Sequence, residues 1–138
     1  MIAYLDSSVL LRIILGQAHR LKEWKTVRQG VTSALTEVEC LRTLDRLRIG
    51  EELKHEAFAR RREAVFRLIE ELEVVEMSRP VLVRAALPLP VPLGTLDSIH
   101  LATALLWRER AAADVLFATH DSALATEATS CGFRVSGT

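Results

Sequence analysis

Hydrophobic residues in the first sixteen positions form two short runs separated by polar residues. The run Ile2 to Leu5 has the length and composition of a strand, and Val9 to Leu15 has those of a helix that ends at Gly16. Between the two runs stand one acid and two serines, with the sequence DSS. The pattern therefore predicts a strand, a polar turn and a helix at the start of the chain.

The same alternation continues along the rest of the chain. Further strands are predicted at VTSAL, EVVEM, DVLFATHD and FRV. Helices are predicted at Ala18–Arg28, Thr36 to Gly50, Glu51–Glu71, Arg79–Leu87, TLDSIHLATALLWRER and SALATEATSCG. The alternate prolines of LPLPVPLG exclude a helix and predict a stiff, extended connector. Short strands that alternate with helices are typical of an α/β domain with a mostly parallel sheet.

Length and composition indicate one domain. A chain of 138 residues can bury one continuous core but is short for two, so we expect residues 1–138 to form a single domain. No apolar run reaches the roughly 18 residues of a membrane-spanning helix, and no basic segment precedes the first apolar run. We therefore expect a cytoplasmic protein with no membrane partner.

Charge and cysteine content exclude some simple interpretations. Eighteen basic residues balance eighteen acidic ones, so any binding of nucleic acid must come from local clusters rather than from net charge. Cys40 and Cys131 have no CxxC partner, so neither a zinc site nor a disulfide scaffold is predicted. We expect both to be buried free thiols.

Four acids fall at the predicted carboxyl edge of the sheet, where parallel folds bind their ligands. Asp6 follows the first strand and Asp121 the fourth. Glu39 lies in the first predicted turn of its helix, and Asp97 begins the helix after the connector. Each acid alone fits a helix cap or a favourable interaction with the helix dipole, and Thr36 with Glu39 spells a capping box. Because Ser or Thr neighbours can provide the caps, the four acids together favour a functional site.

Clustered carboxylates favour a divalent cation. Like charges a few ångströms apart raise one another's pKa values, so the group needs a counter-charge to stay ionised. A set of oxygen ligands without His or Cys at ligand spacing suits Mg²⁺ or Mn²⁺, which often bridge to phosphate oxygens. The acids therefore predict phosphoryl-transfer chemistry.

The motifs around these acids resemble those of the PIN-domain family, in particular the VapC-type ribonuclease toxins of toxin/antitoxin pairs. The resemblance covers almost the whole chain and rests on YLDSSVLL, SALTEVECLR, LGTLDSIHLATALL and FATHDSALATEA, of which the third is the most specific. It implies a three-layer α/β/α fold with a parallel sheet. It also implies Mg²⁺-dependent endonucleolytic cleavage of RNA by a homodimer that a cognate antitoxin inhibits.

Carried over position by position, the resemblance implies a catalytic and metal-binding quartet of Asp6, Glu39, Asp97 and Asp121. Glu37 is the alternative to Glu39. The spacing from Ser33 favours Glu39, and the two glutamates lie about 200° apart around a helix. The resemblance also gives Ser8 and Thr119 supporting roles beside the metal.

Basic residues admit structural and functional interpretations. Arg12, Arg42 and Arg46 are candidate contacts for RNA phosphates. A surface salt bridge between Arg42 and Glu39 is the structural alternative. Arg60, Arg61 and Arg62 fan over roughly 200° of a helix, so we expect a mainly solvated face and leave RNA contact open.

Histidines and tryptophans are expected to have structural roles. His100 lies three residues after Asp97 on nearly the same helix face, but in an apolar helix a core histidine with one hydrogen bond is favoured over a catalytic one. His120 is expected to be a turn residue. Trp24 and Trp107 occupy apolar helix positions that are typical of a core or an interface.

The leading hypothesis is the toxin of a toxin/antitoxin pair that cleaves RNA, with tRNA or rRNA as the expected substrate. The alternatives are a PIN-type nuclease that is not a toxin and a catalytically silent PIN-fold binding module. An aspartyl-phosphate enzyme is disfavoured, because Ser8 stands where such a phosphatase needs a second Asp. A receiver domain is disfavoured because no lysine follows Lys54.

Overall fold

A parallel five-stranded sheet forms the centre of the computed structural model, which covers residues 1–138. Its strands are β1 (Ile2–Leu5), β2 (Gln29–Ser33), β3 (Glu73–Val75), β4 (Leu116–Ala118) and β5 (Arg134–Ser136). They lie in the order β3-β2-β1-β4-β5, and every neighbouring pair is parallel. All five carboxyl ends therefore meet at one edge of the sheet, as predicted.

Helices cover both faces of this sheet. They are α1 (Ser7–Ile14), α2 (Ala34–Ile49), α3 (His55–Glu70), α4 (Arg79–Ala85), α5 (Thr95–Ala111) and α6 (Ser122–Ser130). Helices α1, α2 and α3 pack on one face, and α5 packs on the other with α4 and α6 beside it. The predicted three-layer α/β/α architecture is confirmed.

Alternating side chains of the central strands divide the core in two. Ala3 and Leu5 of β1 pack with the cluster that contains Leu44 of α2. Tyr4 of the same strand and Phe117 of β4 pack on the opposite face, against α5 and α6. Since successive strand residues point to opposite faces, a central strand covered on both sides must be apolar throughout. This requirement explains why the first strand is a continuous apolar run.

The prediction of a helix at Ala18–Arg28 is wrong. Only Lys22–Thr26 is helical, as a short 3₁₀ turn with no side-chain cap. His19 has a positive φ of 59°, which breaks the path of an α-helix before this turn begins. Leu21 is buried and Trp24 is partly buried against the same core, so these apolar residues anchor a connecting segment.

Helix α2 begins earlier than predicted. The strand predicted at VTSAL ends at Ser33, whose Oγ caps the helix by accepting a hydrogen bond from the Leu35 amide at 3.1 Å. Glu39 therefore lies in the second turn rather than the first. The predicted capping box is also wrong, because the Thr36 hydroxyl hydrogen-bonds that of Thr32 at 2.7 Å.

The remaining elements follow the predicted pattern, with two differences. Helix α3 begins at His55 rather than at Glu51, whose φ of 60° is incompatible with a helix. Cys40 is a buried free thiol as expected, but Cys131 is only partly buried. The proline-rich connector, residues 87–94, has neither helix nor strand. None of the helices combines the length and the apolar character needed to cross a membrane.

Replacing Leu44 with alanine tests the core beneath α2. Leu44 is completely buried, so Leu44→Ala should lower the free energy of unfolding by about 2–5 kcal/mol through lost burial and an unfilled cavity. Urea denaturation measures the loss. Val38→Ala is the matched control, because Val38 lies on the same helix and is 56% exposed. The control should change stability by less than about 0.5 kcal/mol, and an equal loss in both variants would contradict the packing.

Candidate functional site

Asp6 lies at the point where β1 passes into α1, and only 3% of it is exposed. Its Oδ1 accepts a hydrogen bond from the Ser7 amide at 2.8 Å, so Asp6 itself caps α1. Its Oδ2 accepts from the Ser8 hydroxyl at 2.7 Å and from the Thr119 hydroxyl at 2.9 Å. Ser8 and Thr119 therefore lie beside the first acid, where the sequence predicts supporting residues.

The same two hydroxyls join β1 to the turn after β4. Thr119 Oγ1 accepts from the Asp121 amide at 3.0 Å, and Ser8 Oγ accepts from the His120 amide at 3.0 Å. Asp121 caps α6, because its Oδ1 accepts from the Leu124 amide at 2.8 Å. The first and last acids thus belong to one hydrogen-bond network, and His120 lies in a turn as predicted.

His100 of α5 lies next to this network and contacts the acids. It is completely buried, and its Nδ1 hydrogen-bonds the Tyr4 hydroxyl at 2.7 Å. Its Nε2 lies 2.5 Å from Glu39 Oε1 and 3.5 Å from Asp6 Oδ1. Burial lowers the pKa of His100, but the contacts with Glu39 and Asp6 outweigh burial and raise it overall. The predicted buried histidine is confirmed, but it contacts two acids and a tyrosine rather than a single partner.

Glu39 is the acid of α2 that contacts His100. Glu37 makes no side-chain hydrogen bond or ion pair and is partly exposed. The thiol of Cys40, the residue after Glu39, is affected by the same charges. Burial first, and then the charges of Glu39 and Asp6, raise the pKa of Cys40 to about 12. The geometry therefore favours Glu39 over Glu37 as the α2 member of the cluster.

Asp97 lies partly buried in the first turn of α5. Burial raises its pKa above the ordinary value of 3.8, and the charges of the other three acids raise it further. The charge of His100 partly opposes this rise. Asp97 lies one turn before His100 on α5, and the His100 ring contacts Glu39 and lies 3.5 Å from Asp6. Since Asp6 and Asp121 both bond the Thr119 hydroxyl, the structure brings together the four acids that the sequence predicts: Asp6, Glu39, Asp97 and Asp121.

The four acids do not form a ready coordination shell. No group of three or more His, Cys, Asp or Glu side chains is arranged to hold a metal ion. Oxygens of Asp6 and Asp121 serve as helix caps, and Glu39 contacts His100. The donor set nevertheless fits a hard divalent cation, because it consists of carboxylate oxygens, and burial first and then the charges of the other acids raise the pKa of Asp97. A bound cation would replace some of these hydrogen bonds.

Two of the predicted RNA-contacting arginines have partners within α2. Arg42 forms a salt bridge with Asp45 at 2.9 Å, so the alternative of a salt bridge with Glu39 is wrong. Arg46 donates to the Thr43 hydroxyl at 3.0 Å. Both arginines therefore stabilise the helix surface, and their contact with RNA stays a prediction.

The other predicted basic positions are anchored differently. Arg12 donates to the His19 carbonyl at 3.0 Å and has no acidic partner. Arg61 donates to the Ile14 carbonyl at 2.7 Å, whereas Arg62 lies over an aromatic ring of its own helix. The run at residues 60–62 therefore does not converge on one ligand, in agreement with the helical geometry.

Tyr4 is the site residue that the sequence interpretation misses. It is the only tyrosine in the chain and lies on the central strand, two residues before Asp6. Burial first, and then the charges of Asp6 and Glu39, raise its pKa well above 10.0. A fully buried tyrosine hydroxyl needs a hydrogen-bond partner, so a tyrosine on an apolar central strand signals that a polar group is buried with it.

Comparison with known proteins identifies the fold and the family. The PIN-domain profile matches residues 3–126, a range that includes all four acids. A solved structure described as a toxin-antitoxin complex from Klebsiella pneumoniae contains a similar chain, with a TM-score of 0.61 and 18% sequence identity over 87% of each chain. No curated protein matches the sequence.

Replacing Asp97 with asparagine tests the electrostatic coupling. The pKa of Asp97 in the folded protein exceeds 3.8, so the folded state binds this proton more tightly than the unfolded chain does. Ionisation of Asp97 therefore costs stability as the pH rises through the folded-state pKa. In EDTA at pH 7, Asp97→Asn should raise the free energy of unfolding, and this gain should shrink as the pH falls toward 3.8.

Urea denaturation at several pH values measures this difference. The control is Asp114→Asn, because Asp114 is an exposed acid whose only ion pair is with Arg134 at 3.2 Å. This control should show no gain at pH 7. A loss of stability at pH 7 in Asp97→Asn would contradict mutual repulsion among the acids.

Proposed function

The chain belongs to the PIN-domain family, and on that premise we propose that it is a divalent-metal-dependent endoribonuclease, the toxin of a toxin/antitoxin pair. The observation that carries the proposal is the meeting of four acids from separate elements at the carboxyl edge of the sheet: Asp6, Glu39, Asp97 and Asp121. PIN domains are generally nucleases, and a helix-capping role does not require four mutually repelling carboxylates.

The surrounding residues fix the acids before substrate arrives. Ser8 and Thr119 orient Asp6 by donating to the same carboxylate oxygen. His100 orients Glu39 and is itself held by the Tyr4 hydroxyl. Because these contacts are buried or partly buried, the carboxylates lose little additional freedom on binding substrate, which favours catalysis.

The quartet would hold Mg²⁺, or Mn²⁺ in its place. When bound, this ion supplies Lewis acidity toward the scissile phosphate and lowers the pKa of an attacking water. Asp97, like the other acids, would act first as a ligand of that ion and second as an acceptor for the proton of the water. The remaining acids keep the reacting groups in position.

The proposed biological setting includes partners. The Klebsiella pneumoniae structure of similar fold is a toxin-antitoxin complex, and we extend this relationship to a cognate antitoxin for the present chain. The resemblance to VapC-type toxins supports a cytoplasmic homodimer with tRNA or rRNA as substrate. Expression without the antitoxin should then arrest growth.

One observation favours a second candidate, a catalytically silent PIN-fold binding module. Glu39 is occupied by His100, and the acids as arranged form no coordination group. A protein of this kind would bind RNA or protein through the same fold without cleaving a phosphodiester bond. Cleavage assays separate the two candidates.

The purified protein should cleave structured RNA in Mg²⁺ and lose this activity in EDTA. Glu39→Gln and Asp97→Asn remove ligands of the proposed metal and should each lower the cleavage rate by at least about 100-fold. Glu37→Gln is the matched control, since it makes the same change two residues away on the same helix. It should retain activity within about twofold of wild type, because Glu37 has no contact with the cluster.

Cleavage that persists in EDTA, or that survives both substitutions, would contradict the proposal. Equal losses in Glu37→Gln and Glu39→Gln would contradict the assignment of the α2 acid. Asp6 is less suitable for this test, because its substitution also removes the cap of α1. Circular dichroism should show an intact fold in each variant.

A further inference from the structure

A pocket with a volume of about 300 Å³ lies at the same edge of the sheet as the acids. It is enclosed by the end of α1, the 3₁₀ segment and the residues after β4 and β5. Its wall contains the charged and titratable residues Arg12, His19, Arg20, Lys22, Glu23 and His120. This group is mainly basic, in contrast to the neighbouring acids.

The pocket adjoins the acidic cluster directly. Arg12 follows Ser8 by four residues on α1, so the two side chains lie on one face of the helix with Cβ atoms about 5–6 Å apart. Ser8 donates to Asp6, and it accepts a hydrogen bond from the His120 amide in the pocket wall. The pocket therefore begins about one helical turn from the first acid.

The cations of the pocket have no acidic partners. Arg20 and Lys22 are exposed and form no side-chain hydrogen bond or ion pair, and Arg12 contacts only a backbone carbonyl. The one acidic side chain in the wall, Glu23, accepts a hydrogen bond from the Ser136 hydroxyl at 2.7 Å. Five arginines elsewhere in the chain pair with acids, and others, such as Arg60 and Arg79, form no ion pair. The pocket is distinguished by the grouping of three unpaired cations around one cavity.

This local surplus of positive charge does not follow from overall composition, because the chain has equal numbers of basic and acidic residues. A nucleic-acid strand that crosses four carboxylates meets strong repulsion unless cations lie close by. The three unpaired cations of the pocket, of which Arg12 lies one helical turn from Ser8, can supply that attraction. Contacts of this kind fix the position of a strand without reading its bases.

We propose that this basic pocket binds a backbone phosphate of the RNA strand beside the scissile phosphodiester and thereby positions the strand over the acids. The inference rests on the proposed nuclease function and adds a substrate subsite to it. Arg12 forms the side nearest the acids, and Arg20 with Lys22 forms the outer side. These residues bind and position substrate, whereas the acids carry the chemistry.

Binding of a fluorescent single-stranded oligoribonucleotide in EDTA tests the pocket without cleavage. The test variant is Arg20→Gln with Lys22→Gln, and the matched control is Lys25→Gln with Arg28→Gln. The control removes two exposed cations of the same segment that lie outside the pocket. Fluorescence anisotropy at several salt concentrations gives the affinity and its salt dependence.

The test variant should bind at least about tenfold more weakly than wild type at low salt. The slope of log affinity against log salt concentration should become shallower by about 0.7, since the pocket binds one phosphate and each phosphate contact to a single strand contributes about 0.7. The control should retain the wild-type slope. In Mg²⁺, the test variant should show a lowered kcat/KM with a raised KM, because the acids are intact but the strand is bound and positioned less well.

A terminal phosphate is distinguished by comparing 5′-phosphorylated and 5′-hydroxyl RNA. Equal losses of affinity for both strands support an internal phosphate, whereas a loss confined to the phosphorylated strand overturns the inference. If wild type cleaves RNA and the test variant matches the control, the pocket assignment alone is overturned. If wild type neither binds nor cleaves RNA, the pocket and the proposed function are overturned together.

Discussion

The hydrogen bonding of one buried carboxylate holds the site together. Asp6 is almost inaccessible to water, and an ionised carboxylate in such a place must be fully satisfied by donors. The donors come from the Ser7 amide and from the hydroxyls of Ser8 and Thr119. Because Thr119 follows β4, the need to satisfy Asp6 also fixes the turn that presents Asp121. Folding and assembly of the site are therefore one requirement.

Helix capping by Asp6 and Asp121 does not exclude their proposed role as ligands of a cation. Asp6 and Asp121 each cap a helix with one oxygen, while burial first and then the charges of the other acids raise the pKa of Asp97. His100 relieves part of this repulsion because its ring contacts Glu39 and approaches Asp6. Some repulsion among the carboxylates remains, and a bound divalent cation would relieve it more fully.

Much of the architecture could be predicted from the sequence, because central strands and covering helices leave strong apolar patterns. The prediction of a helix at Ala18–Arg28 was wrong, because helical spacing of apolar residues also fits a connecting segment that buries Leu21 and turns at His19. Asp6, Asp97 and Asp121 are recognisable as candidates because they follow strands or begin a helix, whereas Glu39, in the second turn of α2, is singled out by the motif around it. The contact between Tyr4 and His100 cannot be predicted from the sequence, because the two residues are 96 positions apart and packing alone joins them.

The central claim is that the four acids act as one cation-binding cluster, and calorimetric titration with Mn²⁺ tests it most directly. Wild type should bind Mn²⁺, and Asp97→Asn should bind it far more weakly, because one of the carboxylate ligands is lost. Glu37→Gln should bind as wild type does. Equal binding by wild type and Asp97→Asn, or no binding by wild type, would contradict the account.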